Sequence, residues 1–525
     1  MYRILSASKD TYITNKIIVG SASLDANVGQ AGTLDLFKLY NETPSVSGNI
    51  NELSRLLIAF DYSPLQSLTS SFLNTNTGSF RVLFNLKDIY GGQTIPSNFT
   101  VSLFPLAKAF DEGRGMDVKA FRDVDTANWM TASVLAGVGT AWSLSGCMAS
   151  GNLGASNIDY YLSGNLGLGS QSLEITQNFL RGDEDLSMDI TRLVSASMAG
   201  ILPNNGFRLS FSSTEETDTV TRFVKRFGSR HTLDITLHPS LNVKYDDHLA
   251  DDNNVLFFDN SNNVFFYNRV GSTYTNFMSA SSPVTGSNNL LLTLVVSKSI
   301  VISTSSFQQN FSASITYNTS SQVFYSTSVT ASQATIGGIF QPGIYTAPLL
   351  LNLQTDANLS NFLGGNSSLT FASYWQSLDQ TVMFATGSWL TVKKAQGDDS
   401  NVLEHNWVTN VTNLKSLYAN AEVARLRVFV QDYNLEQTAF KLPVPTRSAI
   451  NKSMYWRLVN AFDRSIIIPF DDVGTLMSYD GQGMYFDLYM QDLPVNRVYE
   501  LEFKVVENGK SYLITNQGFR FKVVP

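Results

Sequence analysis

Apolar and polar side chains alternate over most of the chain. Phe80-Arg81-Val82-Leu83-Phe84-Asn85-Leu86, Phe207-Arg208-Leu209-Ser210-Phe211, Leu426-Arg427-Val428-Phe429-Val430 and Phe519-Arg520-Phe521-Lys522-Val523 repeat with period two, as strands with one face in a core do. Residues 237–245 alternate likewise, with Pro239 read as an edge or bend. Residues 501–506 and 511–514 flank Glu507-Asn508-Gly509-Lys510, and Asn-Gly supplies the two positive-φ residues of a type I′ hairpin turn. Helical periodicity is rare. Residues 188–198 place Ile190, Leu193, Val194 and Met198 on one stripe ahead of Gly200, which predicts a short amphipathic helix lying on a sheet. Residues 413–421 read as a turn of helix. The expected fold is all-β with very little helix: β-sandwich modules in series, a jelly roll first and immunoglobulin-like sandwiches after it.

Polar clusters divide the chain into three. Asp246-Asp247-His248-Leu249-Ala250-Asp251-Asp252-Asn253-Asn254 closes a first module over residues 1–250. Residues 393–401 (KKAQGDDSN) close a second, 255–395, whose strands are rich in Ser, Thr and Asn and poor in charge; residues 400–525 form the third. A length of 525 residues agrees with three or four modules, and no equal-length repeat is evident. Hydrophobic residues at 43% support sizeable cores, whereas charged residues reach only 15%. Lys+Arg 36 against Asp+Glu 44 gives a net charge of −8, which argues against nucleic-acid and anionic-membrane partners because both need a basic face. The single cysteine, Cys147, excludes a disulfide framework and suits assembly in a reducing cytoplasm. No secretory leader is visible at the N-terminus. The most apolar run, 290–301, is interrupted by Ser297, Lys298 and Ser299, and a bilayer-spanning helix needs about 20 residues.

Candidate chemistry is sparse. Walker, His-Glu-x-x-His and Gly-x-Ser-x-Gly patterns are absent, so a non-enzymatic role without an organic cofactor is expected. Of four histidines, His231, His238 and His248 lie close together in sequence and His405 lies apart. Histidine with carboxylates suits Zn²⁺ or Mn²⁺, and Asp246, Asp247, Asp251 and Asp252 alone suit Ca²⁺; the plain alternative is a polar linker after a terminal strand. The acidic loop 111–117 (DEGRGMD) offers hard oxygen ligands or is a solvated loop. Asp183, Glu184 and Asp185 are adjacent in sequence and read as a loop. Cys147 has no histidine near it in sequence and reads as an inert thiol. Trp129, Trp142, Tyr160 and Tyr161 fall in one loop-rich stretch and form a candidate sugar platform, because aromatic faces stack on the apolar face of a pyranose; packing into a core explains the same residues.

Six motifs in order carry a resemblance. They are Asp10-Thr11-Tyr12-Ile13; Asp25-Ala26-Asn27-Val28-Gly29 with Gly32-Thr33-Leu34-Asp35-Leu36; Ser54-Arg55-Leu56-Leu57-Ile58-Ala59-Phe60-Asp61; Asp111-Glu112-Gly113; Met188-Asp189-Ile190-Thr191-Arg192-Leu193-Val194 with Pro203-Asn204-Asn205-Gly206-Phe207; and Ser229-Arg230-His231-Thr232 with Pro239-Ser240-Leu241-Asn242-Val243-Lys244-Tyr245. Together they resemble the DNRLRE (disaggregatase-related) domains, with Phe110 where that family carries the tryptophan of W-x-E-G. The likeness covers residues 1–246, with an insertion near 130–180. It implies a jelly-roll β-sandwich of carbohydrate-binding-module type, some relatives binding polysaccharide or Ca²⁺ and others serving as spacers.

The ending Phe227-Gly228-Ser229-Arg230-His231-Thr232 with Asp246-Asp247 is similar to the variant found in structural proteins of tailed bacteriophages, especially the large myovirus group. Val411-Thr412-Asn413-Leu414-Lys415, Ala424-Arg425-Leu426-Arg427-Val428-Phe429-Val430-Gln431-Asp432-Tyr433, Met484-Tyr485-Phe486-Asp487-Leu488-Tyr489 and Phe519-Arg520-Phe521-Lys522-Val523-Val524 resemble the same phage chains. The resemblance implies a virion structural protein of neck, tail or capsid surface, assembled in the host cytoplasm. It would be a homo-oligomer or a symmetric multi-copy component held by contacts with other virion proteins. The alternative is a glycan-binding adhesion protein for host-surface polysaccharide, with Trp129, Trp142, Tyr160 and Tyr161 stacking on sugar and acidic loops holding Ca²⁺.

Overall fold

The computed structural model describes the chain except residues 44–49, 70–72, 123–124, 136–137, 168, 300–313, 319–321, 396–405, 434–447 and 508. Strands dominate, and three large hydrophobic cores form in chain order. In the first module, strand Tyr2–Thr14 belongs to two sheets. Its first half pairs with Ser240–Lys244, which continues to Arg81–Leu86 and Leu186–Asp189. A register shift between Ala7 and Lys9 then turns the second half onto Asn51–Phe60, followed by Phe207–Phe211, Phe99–Pro105 and Ile175–Phe179. Such a bulge bends a strand and lets one strand turn a corner between facing sheets. Inward residues of both sheets, among them Leu5, Tyr12, Leu56, Ile58, Phe84, Leu209 and Leu241, make the sandwich core.

Strand Asn51–Phe60 is apolar on both faces, and this accounts for the insertion. Leu56 and Ile58 point into the sandwich, while Leu53 and Leu57 point outward with Ile13 and would be left in water. Residues 127–135 and 138–147, including the paired strands Thr131–Leu135 and Val138–Ala141, cover that outer face with Trp129, Ala132, Trp142 and Cys147. Covering the outer face also buries Arg55, whose Nε and Nη2 each donate to Glu216 at 2.8 Å and whose Nη1 donates to the Gly146 carbonyl at 2.6 Å.

The second and third modules are antiparallel sandwiches closed by the same device. In the second, Leu256–Phe257 pairs in parallel with Leu390–Lys393, and the core is built on Leu292, Leu294, Tyr345, Phe371 and Trp375. In the third, Leu417–Ala419 pairs in parallel with Arg520–Val524, and Trp456 stacks on Phe486 at 4.5 Å between the sheets. A short early strand lying parallel to the last strand of an otherwise antiparallel sandwich gives both modules an immunoglobulin-like closure. Residues 413–421, expected as a helical turn, contain this strand instead: Tyr418 is buried edge-on against Phe521, and a cross-sheet partner outweighs weak helix propensity. The expected helix exists but is shorter, Thr191–Met198, because residues 186–189 are spent on a strand paired with Arg81–Leu86. Strands Val498–Glu507 and Lys510–Ile514 pair as expected, and Gly509 has φ +76°; Asn508 of the expected turn lies outside the described residues.

Polar contacts join the three modules. The N-terminal ammonium donates to the Tyr245 carbonyl and pairs with Asp247. Arg3, with side-chain exposure of 1%, makes a two-pronged pair with Asp492 of the third module, at 2.5 and 3.0 Å, and lies 3.8 Å from the Tyr489 ring centroid. Tyr2 enters the third module's core outright. The segment that comes after the first module runs beside strand Ser478–Asp480, with Leu249 and Asp251 bonded to Tyr479 backbone atoms. Asp252 then accepts from the Tyr479 hydroxyl and the Asn263 amide, tying the third module to the second. The tip of the second module's hairpin reaches back to the first: the Asn74 amide donates to the Gly337 carbonyl.

Candidate functional site

The motif residues of the first module, scattered from position 10 to position 231, converge at one end of the sandwich. Asp10 comes just after the bulge that turns Tyr2–Thr14 between sheets, and it is 1% exposed. Loops 25–29 and 111–115 interlock around Asn27. Its Nδ2 donates to the Glu112 and Ala127 carbonyls, each at 2.9 Å, and its Oδ1 accepts from Gly29 and Gly115 amides. The glycines are required by this closeness. A Cβ on Gly113, which also sits at φ +83°, would stand 2.3 Å from Asn27 Oδ1, and one on Gly29 would stand 1.9 Å from the Glu112 carbonyl. The spacing D-x-N-x-G and the E-G pair are thus two halves of one clamp.

The clamp presents Glu112 to Asp10 and to the loop after strand Arg222–Gly228. Glu112 Oε1 accepts from the Asp10 amide at 2.8 Å, and Oε2 accepts from Arg230 Nη1 at 2.7 Å. Asp10 Oδ2 accepts from the Arg230 amide at 2.6 Å. His231 Nε2 lies 3.4 Å from Glu112 Oε1. One ligand-capable atom from each of Asp10, Glu112 and His231 lies within 4.8 Å of the other two. Among the described residues, Asp10 Oδ1 and His231 Nε2 are buried without a hydrogen-bond partner. Burial pushes the Asp10 carboxyl up to about 7, the negative charge of Glu112 adds to the rise, and the Arg230 amide and charge oppose it. The arrangement is a buried carboxyl, a partly buried carboxylate paired with Arg230 and one imidazole, a set that can take up a proton or a cation.

The other expected site residues are placed elsewhere. Trp129, Trp142 and Tyr161 are buried, and Tyr160 packs on Phe104 with Arg208 4.6 Å above its ring. The sugar-platform expectation is corrected on this ground: the tryptophan faces cover Ile13 and Leu57, and Trp142 Nε1 is bonded to the Asn128 carbonyl. Asp246, Asp247, Asp251 and Asp252 do not converge as a ligand set either. Asp246 accepts from the His248 amide, and Asp247 pairs with the N-terminus. Asp251 accepts from Tyr267 and Asn253, and Asp252 from Tyr479, Asn263 and Lys452. These carboxylates already have protein donors and act as joints. His238 Nε2 contacts the Thr232 carbonyl, His248 packs on Tyr479, and His405 lies outside the described residues, as do residues 396–401 of the polar cluster between the later modules. Glu184 receives three backbone amides from residues 180–182, so it stabilises its own loop. Cys147 is fully buried, and burial pushes its thiol up to about 12, the condition of an unreactive side chain.

Asp10 stands out in the sequence only through the resemblance, Glu112 only as part of an acidic loop, and His231 only beside His238 and His248. The order of the motifs is the signal that could have joined them. No protein-family model matches the chain, and no curated protein matches it. Among solved structures, the fibronectin(III)-like modules of Clostridium thermocellum CbhA are similar at 10% identity, over 46% of this chain and 92% of that one, with a TM-score of 0.14. Salmonella alpha-2-macroglobulin reacted with methylamine is similar at 8% identity, over 99% of this chain and 38% of that one, with a TM-score of 0.15. At such scores neither likeness bears on what this chain does.

Proposed function

We propose that the chain is a non-enzymatic structural component of a bacteriophage virion, in the neck, the tail or on the capsid surface, assembling through protein–protein contacts. The observation that carries this reading is the joint between the modules. Arg3–Asp492, Lys244–Asp471 at 2.5 Å and Asp252–Tyr479 at 3.1 Å fix three sandwiches against one another, as a load-transmitting spacer requires and a flexibly tethered binding module does not. Large apolar side chains stand out of every module: Leu180 and Leu233 from the first, Met383 and Trp389 from the second, Phe462 and Ile466 from the third. Such side chains, on a chain only 15% charged, are the material of interfaces whose specificity comes from shape and hydrogen bonding. Repetition about a particle axis would make copies of this chain equivalent neighbours. A particle reconstruction tests the reading: three linked sandwiches with the junction intact are expected in symmetry-related density, and a complete reconstruction with no place for them overturns it.

A further inference from the structure

We propose that Asp10, Glu112 and His231 form a binding site for a divalent transition-metal ion of the zinc class. Three observations lead there. The first is convergence: two carboxylates and an imidazole from three separate segments bring ligand-capable atoms within 4.8 Å of one another. The second is an unmet need. Asp10 is 1% exposed, and its Oδ1 has no donor among the described residues, although Oδ2 is bonded to the Arg230 amide. The nearby guanidinium of Arg230 is directed to the far oxygen of Glu112 instead, at 2.7 Å. A buried carboxylate oxygen without a donor is costly, and a bound cation removes that cost.

The third observation is spacing and ligand type. His231 Nε2 and Glu112 Oε1 are 3.4 Å apart, close to the separation of about 3.3 Å between neighbouring ligands placed tetrahedrally at zinc bonding distances. Imidazole with carboxylates selects a first-row transition ion over Ca²⁺ or Mg²⁺, which prefer an all-oxygen shell. Arg230 on Glu112 Oε2 and the Asn27 clamp behind Glu112 would act as outer-shell supports that hold the ligand in place. Three protein ligands leave a position for solvent. The site is independent of the virion reading, since metal binding is measured on the isolated chain.

The experiment uses the full chain, stripped with a chelator and titrated with Zn²⁺ by calorimetry, with Co²⁺ as a spectroscopic probe. One saturable equivalent is expected, together with visible Co²⁺ absorption of a nitrogen- and oxygen-ligated site. Asp10→Asn and His231→Gln are each expected to weaken Zn²⁺ binding at least tenfold, while His238→Gln leaves it unchanged. The Co²⁺ absorption of the unaltered chain is a readout that needs no folded variant, and Zn²⁺ is expected to displace the Co²⁺ stoichiometrically. Absence of a saturable equivalent, binding unaffected by the Asp10 and His231 changes, preference for Ca²⁺, or a Co²⁺ spectrum that Zn²⁺ does not displace would each overturn the proposal.

Discussion

Removing the carboxylate of Asp492 is expected to uncouple the first and third modules. Arg3 is fully buried, and its two bonds to Asp492, with the Ile4 amide donating to the same carboxylate at 3.1 Å, are the polar closure of that interface. Asp492→Ala strands a guanidinium that water cannot reach, and its stacking on Tyr489 does not replace a counter-charge. Breaking a buried pair from one side costs about 3–5 kcal/mol. For a module of this size each kcal/mol moves the midpoint by roughly 2–4 °C, so a fall of roughly 10 °C is expected. The double change Arg3→Met with Asp492→Asn removes both charges while leaving an acceptor for the Ile4 amide, and is expected to recover at least half of the loss. Differential scanning calorimetry of the full chain reads both effects. The unaltered protein should melt its first and third modules together, and Asp492→Ala should split them into two transitions. A loss below about 1 kcal/mol, or separate transitions already present in the unaltered chain, would refute the view that this contact fixes the modules.

Four further outcomes are expected from the geometry. Burial raises the Asp251 carboxyl to about 6 from an ordinary 3.8, so its contribution to stability is fully present below pH 3.8 and is lost as pH rises through 6. Asp251→Asn should therefore stabilise the protein by up to about 3 kcal/mol at pH 7 and have little effect near pH 4, read by urea titration at both values. Trp142→Ala should cost about 3–5 kcal/mol through loss of the outer-face core, and calorimetry of the unaltered chain against host polysaccharide should show no heat attributable to that tryptophan. Gly113→Ala should destabilise the first module by more than the ~1 kcal/mol of a simple positive-φ position, because its Cβ would collide with Asn27; thermal melting checks it. Cys147 should resist a thiol reagent in the native protein and react fully in denaturant.

Strand identity was legible in the chain because one-sided burial imposes a period of two, and Arg81–Leu86 and Arg520–Val524 lie where that pattern puts them. What the pattern could not show is burial on the second face of a sheet. Leu57 looks like an ordinary member of an apolar run, and only the folded insertion reveals why Trp129 and Trp142 exist. Local preference misled at residues 413–421, where the deciding partner, Arg520–Val524, is about a hundred positions away. The acidic segment 246–252 looked like a linker or an ion site for a similar reason: its donors, the N-terminus, Tyr267, Tyr479 and Lys452, come from all three modules. The Asp10–Glu112–His231 cluster is assembled by a bulge and two interlocked loops, features with no local periodicity.

The proposed role makes this chain one repeated part of a phage particle, and quantitative mass spectrometry of purified particles, with the major capsid protein as internal standard, decides it. A fixed, symmetry-compatible ratio that survives a high-salt wash is expected, and absence of the chain from purified particles would overturn the proposed role.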